Sequence, residues 1–205
     1  MSLSDSTALH NFLRSRRSVR RFTDQPVPKD LIKRFIETAT HAPNAHNRQP
    51  WRFIVLASQQ SKTTLAKAMG VDFRQTLLTE NLSPEQADAQ VQRSHERITQ
   101  APAAILLCLE TATLDQYDDP GRQQGELTMA IQSVAMAGSY LLFAAHAEGL
   151  GAVWICAPLF APKAVQDVLD LPASWLPQGM VLLGYPAAIP NARPRSSTPE
   201  IISFR

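Results

Sequence analysis

The chain has 205 residues and a formal net charge of +2, from 20 Lys+Arg against 18 Asp+Glu. That length holds one domain with a substantial core or two small ones, and the charge balance excludes a protein built to live on nucleic-acid phosphates, which needs a domain-wide basic excess. Cys108 and Cys156 sit in apolar runs without paired spacing; they read as two buried free thiols in a reducing compartment, not as a disulfide framework or a metal set. The polar opening, residues 1–6, has no apolar signal core, so a cytoplasmic location is expected.

Apolar spacing and turn residues predict alternating helices and strands, hence a layered α/β or α+β domain. A first helix is expected over 7–14. A second runs over 30–40, with Leu31, Ile32, Phe35, Ile36 and Ala39 on one face and Pro43 as its stop. A polar loop, 43–50, leads into a strand over 51–57, then a helix over 61–69. Residues 70–100 are polar; Ser83-Pro84-Glu85 opens a helix there, with serine as cap and proline at the first helical position. The continuous apolar run 103–109 reads as a strand buried on both faces. A long helix is expected over 123–147, closed by Gly149-Leu150-Gly151. Strands over 152–156 and 179–185 flank a helix over 162–169. The tail, 187–205, carries Pro190, Pro194 and Pro199 and reads as an extended arm.

The run 127–147 is apolar enough to suggest a membrane span, but it holds Gln132, Ser133, Gly138, Ser139 and His146. A helix buried in protein is the better reading, and no membrane contact is expected. The arm ends in Ile201-Ile202-Ser203-Phe204, groups not normally left in water. Together the arm and the apolar helix point to a homodimer with a shared core.

Chemistry is concentrated in Arg16-Arg17-Ser18-Val19-Arg20-Arg21, four arginines and a serine in six residues of a chain otherwise balanced in charge. Guanidinium forks and a hydroxyl suit a phosphate dianion, the competing readings being a solvated basic surface or a nucleic-acid patch. Residues 43–50 form an Asn-rich loop that is also what a capped turn looks like.

These parts, in this order, resemble the FMN-dependent nitroreductase family over residues 16–195. The resemblance implies an α+β, three-layer fold: a central, mostly antiparallel sheet flanked by helices, a long buried central helix and a C-terminal extended arm. It implies one FMN-binding domain over 1–205, with 70–100 as a variable lid. Arg16, Arg17, Ser18 and Arg20 would grip the flavin phosphate and ribityl chain, and Arg193 and Arg195 would complete the phosphate site. Pro43, Asn44 and Ala45 would lie against the isoalloxazine, with Asn47 and Gln49 bonding locally or to flavin, and Arg97 near the pyrimidine edge. No side chain is catalytic and no metal is implied; the backbone N–H of Cys156 or Ala157 would face the flavin nitrogen that passes hydride. The thiol of Cys156 has neither a basic residue nor a helix start evident beside it, and so no nucleophilic role. Where the family often has a Gln-Asn pair in the long helix, this chain reads Gly138-Ser139-Tyr140. Within the family the wording at 170–175, 179–186 and 193–195 is nearest to the flavin domain of deazaflavin-coenzyme biosynthesis proteins, without their γ-glutamyl ligase domain.

The implied activity is hydride transfer from NAD(P)H, a transient visitor, through FMN to a nitroaromatic, quinone or unsaturated deazaflavin acceptor, by ping-pong steps. Arg74, Arg93 and Arg97 would let the lid accept an anionic substrate. Competing readings are a flavin enzyme of different outcome (dehalogenation or flavin fragmentation) and a non-catalytic flavin- or deazaflavin-binding module.

Overall fold

The computed structural model describes residues 6–205, so all but the last residue of the polar opening read over 1–6 lies outside the described residues. In chain order come α1 (Ser6–Ser15), α2 (Lys29–Thr40), β1 (Trp51–Leu56), α3 (Gln59–Thr79), α4 (Pro84–Thr99), β2 (Ala103–Glu110), α5 (Pro120–Ala147), β3 (Gly151–Ile155), α6 (Pro162–Leu169), β4 (Trp175–Gly184) and α7 (Thr198–Ile201). Short 3-10 turns lie at Ala45–Asn47, Thr111–Thr113 and Ala157–Phe160.

The four strands form one antiparallel sheet in the order β1-β2-β4-β3. All eight residues of β2 are buried, which its unbroken apolar run requires of a central strand covered on both faces. Strand alternation divides them: Ile105, Leu107 and Leu109 join Phe35 of α2 and Val134 and Leu141 of α5. Leu106 and Cys108 face the opposite way and join Leu65 and Met69 of α3 and Val165 of α6. The result is three layers: α2 with α5, the sheet, then α3 with α6. Fully burying each Leu or Val side chain contributes roughly 1.5–3 kcal/mol of transfer free energy, and both faces depend on it.

By length and composition α5 could cross a membrane, the one helix among the described residues that could. Its buried stripe, however, packs on the sheet and carries Glu126, whose carboxylate lies 3.7 Å from Nε of Arg48. It is a core helix of this domain. Within one chain it is not buried all round: Ile131, Met136 and Tyr140 remain exposed, as do Ile201, Ile202 and Phe204 of the tail.

Three boundaries differ from expectation for local reasons. α3 runs to Thr79 rather than stopping at Met69, because α4 packs along its second half and supplies the missing apolar contact. Thus 70–100 is a helical hairpin, and Ser83 caps α4 through a capping box with Gln86. β4 begins at Trp175, with a bulge opposite Leu107/Cys108 that accommodates Pro177. The tail is not wholly irregular, since Ser197 caps a single turn, α7.

Candidate functional site

The arginine tract is fixed by backbone pairing to the open edge of the sheet. Ser18 forms a parallel bridge with Ala152 of β3, and Val19 N–H donates to the Ala152 carbonyl at 3.1 Å. Farther on, Thr23 N–H donates to the Tyr185 carbonyl at 2.9 Å, and Ala187 N–H to the Arg21 carbonyl at 3.0 Å. These bonds tie the tract to the segment leaving β4. The start of the C-terminal tail is therefore held beside the tract, and Arg195 comes near Arg16.

That meeting has an electrostatic cost. The Arg16 guanidinium is held below its ordinary pKa, first by burial, then by Arg195, then by Arg17. Its Nη1 is buried without a hydrogen-bond partner among the described residues. A buried donor facing two like charges is a poor arrangement for the chain alone and a good one for an anion. Arg17 spends its fork on the carbonyls of Arg14 and Arg16. Arg193 is exposed and has no ion pair among the described residues.

His146, in the last turn of α5, stacks on Phe12 with ring centroids 4.8 Å apart, and its Nε2 lies 2.8 Å from Ser15 Oγ. Its pKa is lowered, by burial first and then by Arg16, with Phe12 opposing and Arg17 adding a weaker push. The folded chain therefore binds this proton less tightly than the unfolded chain, and stability falls as pH drops from the ordinary value of about 6.5 through the depressed one. Melting curves from about pH 7.5 to about pH 5.5 should show that loss, and a His146→Gln variant should lose less over the same window.

A cleft of about 600 Å³ opens between the α3–α4 hairpin and the end of β3. Arg20 enters it from the tract, Trp154, Cys156 and Ala157 from the end of β3, and Arg97 from α4. Among the described residues the Arg20 side chain bonds only the Ser18 carbonyl, at 3.3 Å. Ala157 opens a 3-10 turn whose first bond is from Leu159 N–H to the Cys156 carbonyl, 2.9 Å. The amides of Cys156 and Ala157 precede that bond, and Pro158 has no N–H, so these two are the donors the turn leaves free.

Cys156 is exposed, contrary to the expectation of two buried thiols: β3 ends at Ile155 and the chain turns outward into the cleft. Arg20, Arg93 and Arg97 line that same cleft, so basic groups do lie near it in space. Its sulfur accepts from Trp154 Nε1 at 3.2 Å. Cys108 is buried as expected, and burial pushes its thiol up to about 12. Arg74 does not serve the cleft; it pairs with Asp88 across the hairpin, Nε to Oδ1 2.6 Å.

The loop carrying Pro43, Asn44, Ala45, Asn47 and Gln49 lies elsewhere, on the α5 face of the sheet. Ala45 N–H donates to Ser133 Oγ of α5 at 3.3 Å, and Asn44 Oδ1 accepts from Gln49 N–H at 2.9 Å. His46, Asn47 and Gln49 hold φ of 53°, 51° and 50°, left-handed values that cost on the order of 1 kcal/mol or more each. Arg48 pins the loop through Asp115 and Glu126. The side chains of Asn47 and Gln49 make no hydrogen bond among the described residues, and none of the loop lines the cleft of its own chain.

Sequence reasoning assigned no part to Phe73, Arg93's neighbour Ser94, or Phe160, all of which line the cleft. The signal was available: Met69, Phe73, Thr76 and Glu80 share one helical stripe, as do Gln90, Arg93, Ser94 and Arg97.

An α+β sheet carrying a basic tract on its edge strand defines a class of fold and site. The chain belongs to the nitroreductase family, whose model matches residues 13–185. The 5,6-dimethylbenzimidazole synthase of Rhodospirillum rubrum is 31% identical over 176 residues, covering 83% of this chain and 78% of that protein. The NADH dehydrogenase of Thermus thermophilus is 30% identical over 189 residues, covering 84% and 83%. A solved protein of Desulfovibrio desulfuricans, named as a nitroreductase in complex with FMN, superposes with a TM-score of 0.73 at 22% identity, covering 96% of each chain.

Proposed function

We propose that this protein is an FMN-dependent oxidoreductase of the cytoplasm that takes hydride from NAD(P)H and passes it to an aromatic acceptor. The observation that carries this reading is the buried, unpartnered Arg16 Nη1 beside Arg195, a pair that fits a phosphate dianion. Arg16, Arg17, Ser18, Arg20, Arg193 and Arg195 would hold the phosphate and ribityl chain. The free amides of Cys156 and Ala157 would orient the reactive ring edge, with Arg97 near the pyrimidine. Bound FMN supplies two-electron hydride chemistry, and the protein binds, orients and excludes competing reactions. The names of the relatives, an NADH dehydrogenase and an FMN-bound nitroreductase, support both cofactors.

A homodimer completes the site. The loop of Pro43, Asn44, Ala45, Asn47 and Gln49 is strained, pinned and far from its own cleft, which suits service to a partner's cleft. Ile131, Met136 and Tyr140 of α5 and the apolar end of the tail are the surfaces to be covered. The α3–α4 hairpin is the lid. Acceptors are nitroaromatics, quinones or unsaturated deazaflavins.

The 31% identity to a 5,6-dimethylbenzimidazole synthase favours one second reading, fragmentation of the flavin itself. One experiment separates the readings. The purified protein should be yellow and dimeric, bleach with NADH or NADPH, and regain colour with a nitroaromatic. Loss of flavin on aerobic turnover, with a new aromatic product, would favour fragmentation. No bleaching with either nicotinamide would sink the reductase reading.

A further inference from the structure

Four arginines have acid partners among the described residues: Arg34 with Glu148, Arg48 with Asp115 and Glu126, Arg52 with Glu110, and Arg74 with Asp88. The three that line the cleft, Arg20, Arg93 and Arg97, have none among the described residues. Glu80 is the single carboxylate among the lining groups and bonds to none of the three. Arg93 and Arg97 stand one turn apart on the face of α4 turned to the cleft. Opposite them are flat apolar surfaces: Phe73, 36% exposed, and Phe160, 79% exposed. Trp154 also lines the cleft, but its six-membered ring is packed between Gly138 and Gly179.

Unpaired guanidinium groups beside open aromatic rings match a planar molecule with an acid substituent. We infer that the acceptor reduced in this cleft is an aromatic acid, and that Arg93 selects its acid group. The inference rests on the oxidoreductase reading above, in which Arg20 and Arg97 serve the flavin and Arg93 remains for the second molecule. An anion could also come from the donor, as the phosphates of the nicotinamide dinucleotide, so the test separates the two half-reactions.

The probes are 4-nitrobenzoate and 4-nitrobenzamide, alike in size and differing in charge. Each takes up a hydride equivalent and a proton from solvent, and its nitro group becomes nitroso as one oxygen leaves as water. The carboxylate withdraws electrons from the ring less than the amide does, so intrinsic reactivity favours the amide. FMN-loaded dimer is reduced with NADH, and kcat/KM per bound flavin is measured for wild type, Arg93→Gln and Arg93→Lys. The benzoate should be preferred roughly tenfold, as one partly exposed charge-assisted pair allows, and the preference should shrink with added salt. The ratio should fall to about one in Arg93→Gln and persist in Arg93→Lys. Equal use of both acceptors by the wild type overturns this inference alone. So does an Arg93→Gln defect confined to reduction of the flavin by NADH or NADPH, which would assign the anion to the donor. Oxidation by neither acceptor overturns the reductase reading and this inference together.

Discussion

Replacing Arg16 by Gln should weaken FMN binding by about 100-fold or more, while the flavin-free chain should melt no lower than the wild type. The two readouts move apart because the guanidinium is badly placed without an anion. It is partly desolvated, lies near Arg195 and Arg17, and one of its nitrogens has no partner. Removing it relieves like-charge repulsion, so the folded chain alone loses nothing by the change. With a phosphate present the same group gives charge-assisted bonds in a poorly hydrated place, and truncating such a pair costs about 2–5 kcal/mol. Flavin fluorescence titration gives the affinity, and melting of the stripped protein gives the stability. Full retention of flavin by Arg16→Gln would show that the meeting of Arg16 with Arg195 serves some other end. A large fall in the melting temperature of the flavin-free protein would show that Arg16 is structural.

Much of the fold was legible because local signals agreed with tertiary ones. Ser83-Pro84 announced α4, the run from Ala103 announced a strand covered on both faces, and Pro162 opened α6 where expected. The end of α3 was not legible: the expected helix stopped at Met69, one residue before Gly70. The structure keeps Gly70 inside the helix, where Val91 of α4 lies 3.1 Å from the place a Cβ would occupy. The glycine permits close packing of the hairpin instead of ending it, and a contact across 21 residues leaves no local trace. The site was legible in the same divided way. The Arg16–Arg21 tract stood out in composition, whereas its meeting with Arg195 depends on the backbone bonds of Thr23 and Ala187. The exposure of Cys156 depends on where β3 ends, which apolar patterning alone does not mark. The Pro43–Gln49 loop read as Asn-rich and turn-like, but its seat on α5 through Ser133, away from the cleft of its own chain, is a long-range contact without a local trace.

Gly179→Ala should destabilise the protein by about 3 kcal/mol, although alanine in a strand is ordinarily the better residue. Where the backbone tolerates it, Gly→Ala stabilises by about 0.4–1 kcal/mol through the unfolded chain, so the sign of the effect is the test. A Cβ on Gly179 would lie 2.1 Å from Trp154 Cζ2 and 2.4 Å from Cε2. The ring cannot retreat to its other side, because a Cβ site on Gly138 of α5 is only 2.3 Å from Cζ3. The indole is thus seated between two glycines, which accounts for a glycine at position 138 inside the long helix. Overpacking of this kind costs about 1–3 kcal/mol, and a rigid ring held on both sides sits at the upper end. For a chain of this length the melting temperature should fall by roughly 6–12 °C. Trp154→Leu should itself destabilise by leaving a void, yet the double variant should be less damaged than the sum of the singles, with a coupling of about 0.5–3 kcal/mol. Because Trp154 also lines the cleft, Gly179→Ala should weaken acceptor binding even in the fraction that remains folded. A neutral or stabilising Gly179→Ala would mean that the indole is free to move between Gly138 and Gly179, and that the close packing there does not hold it.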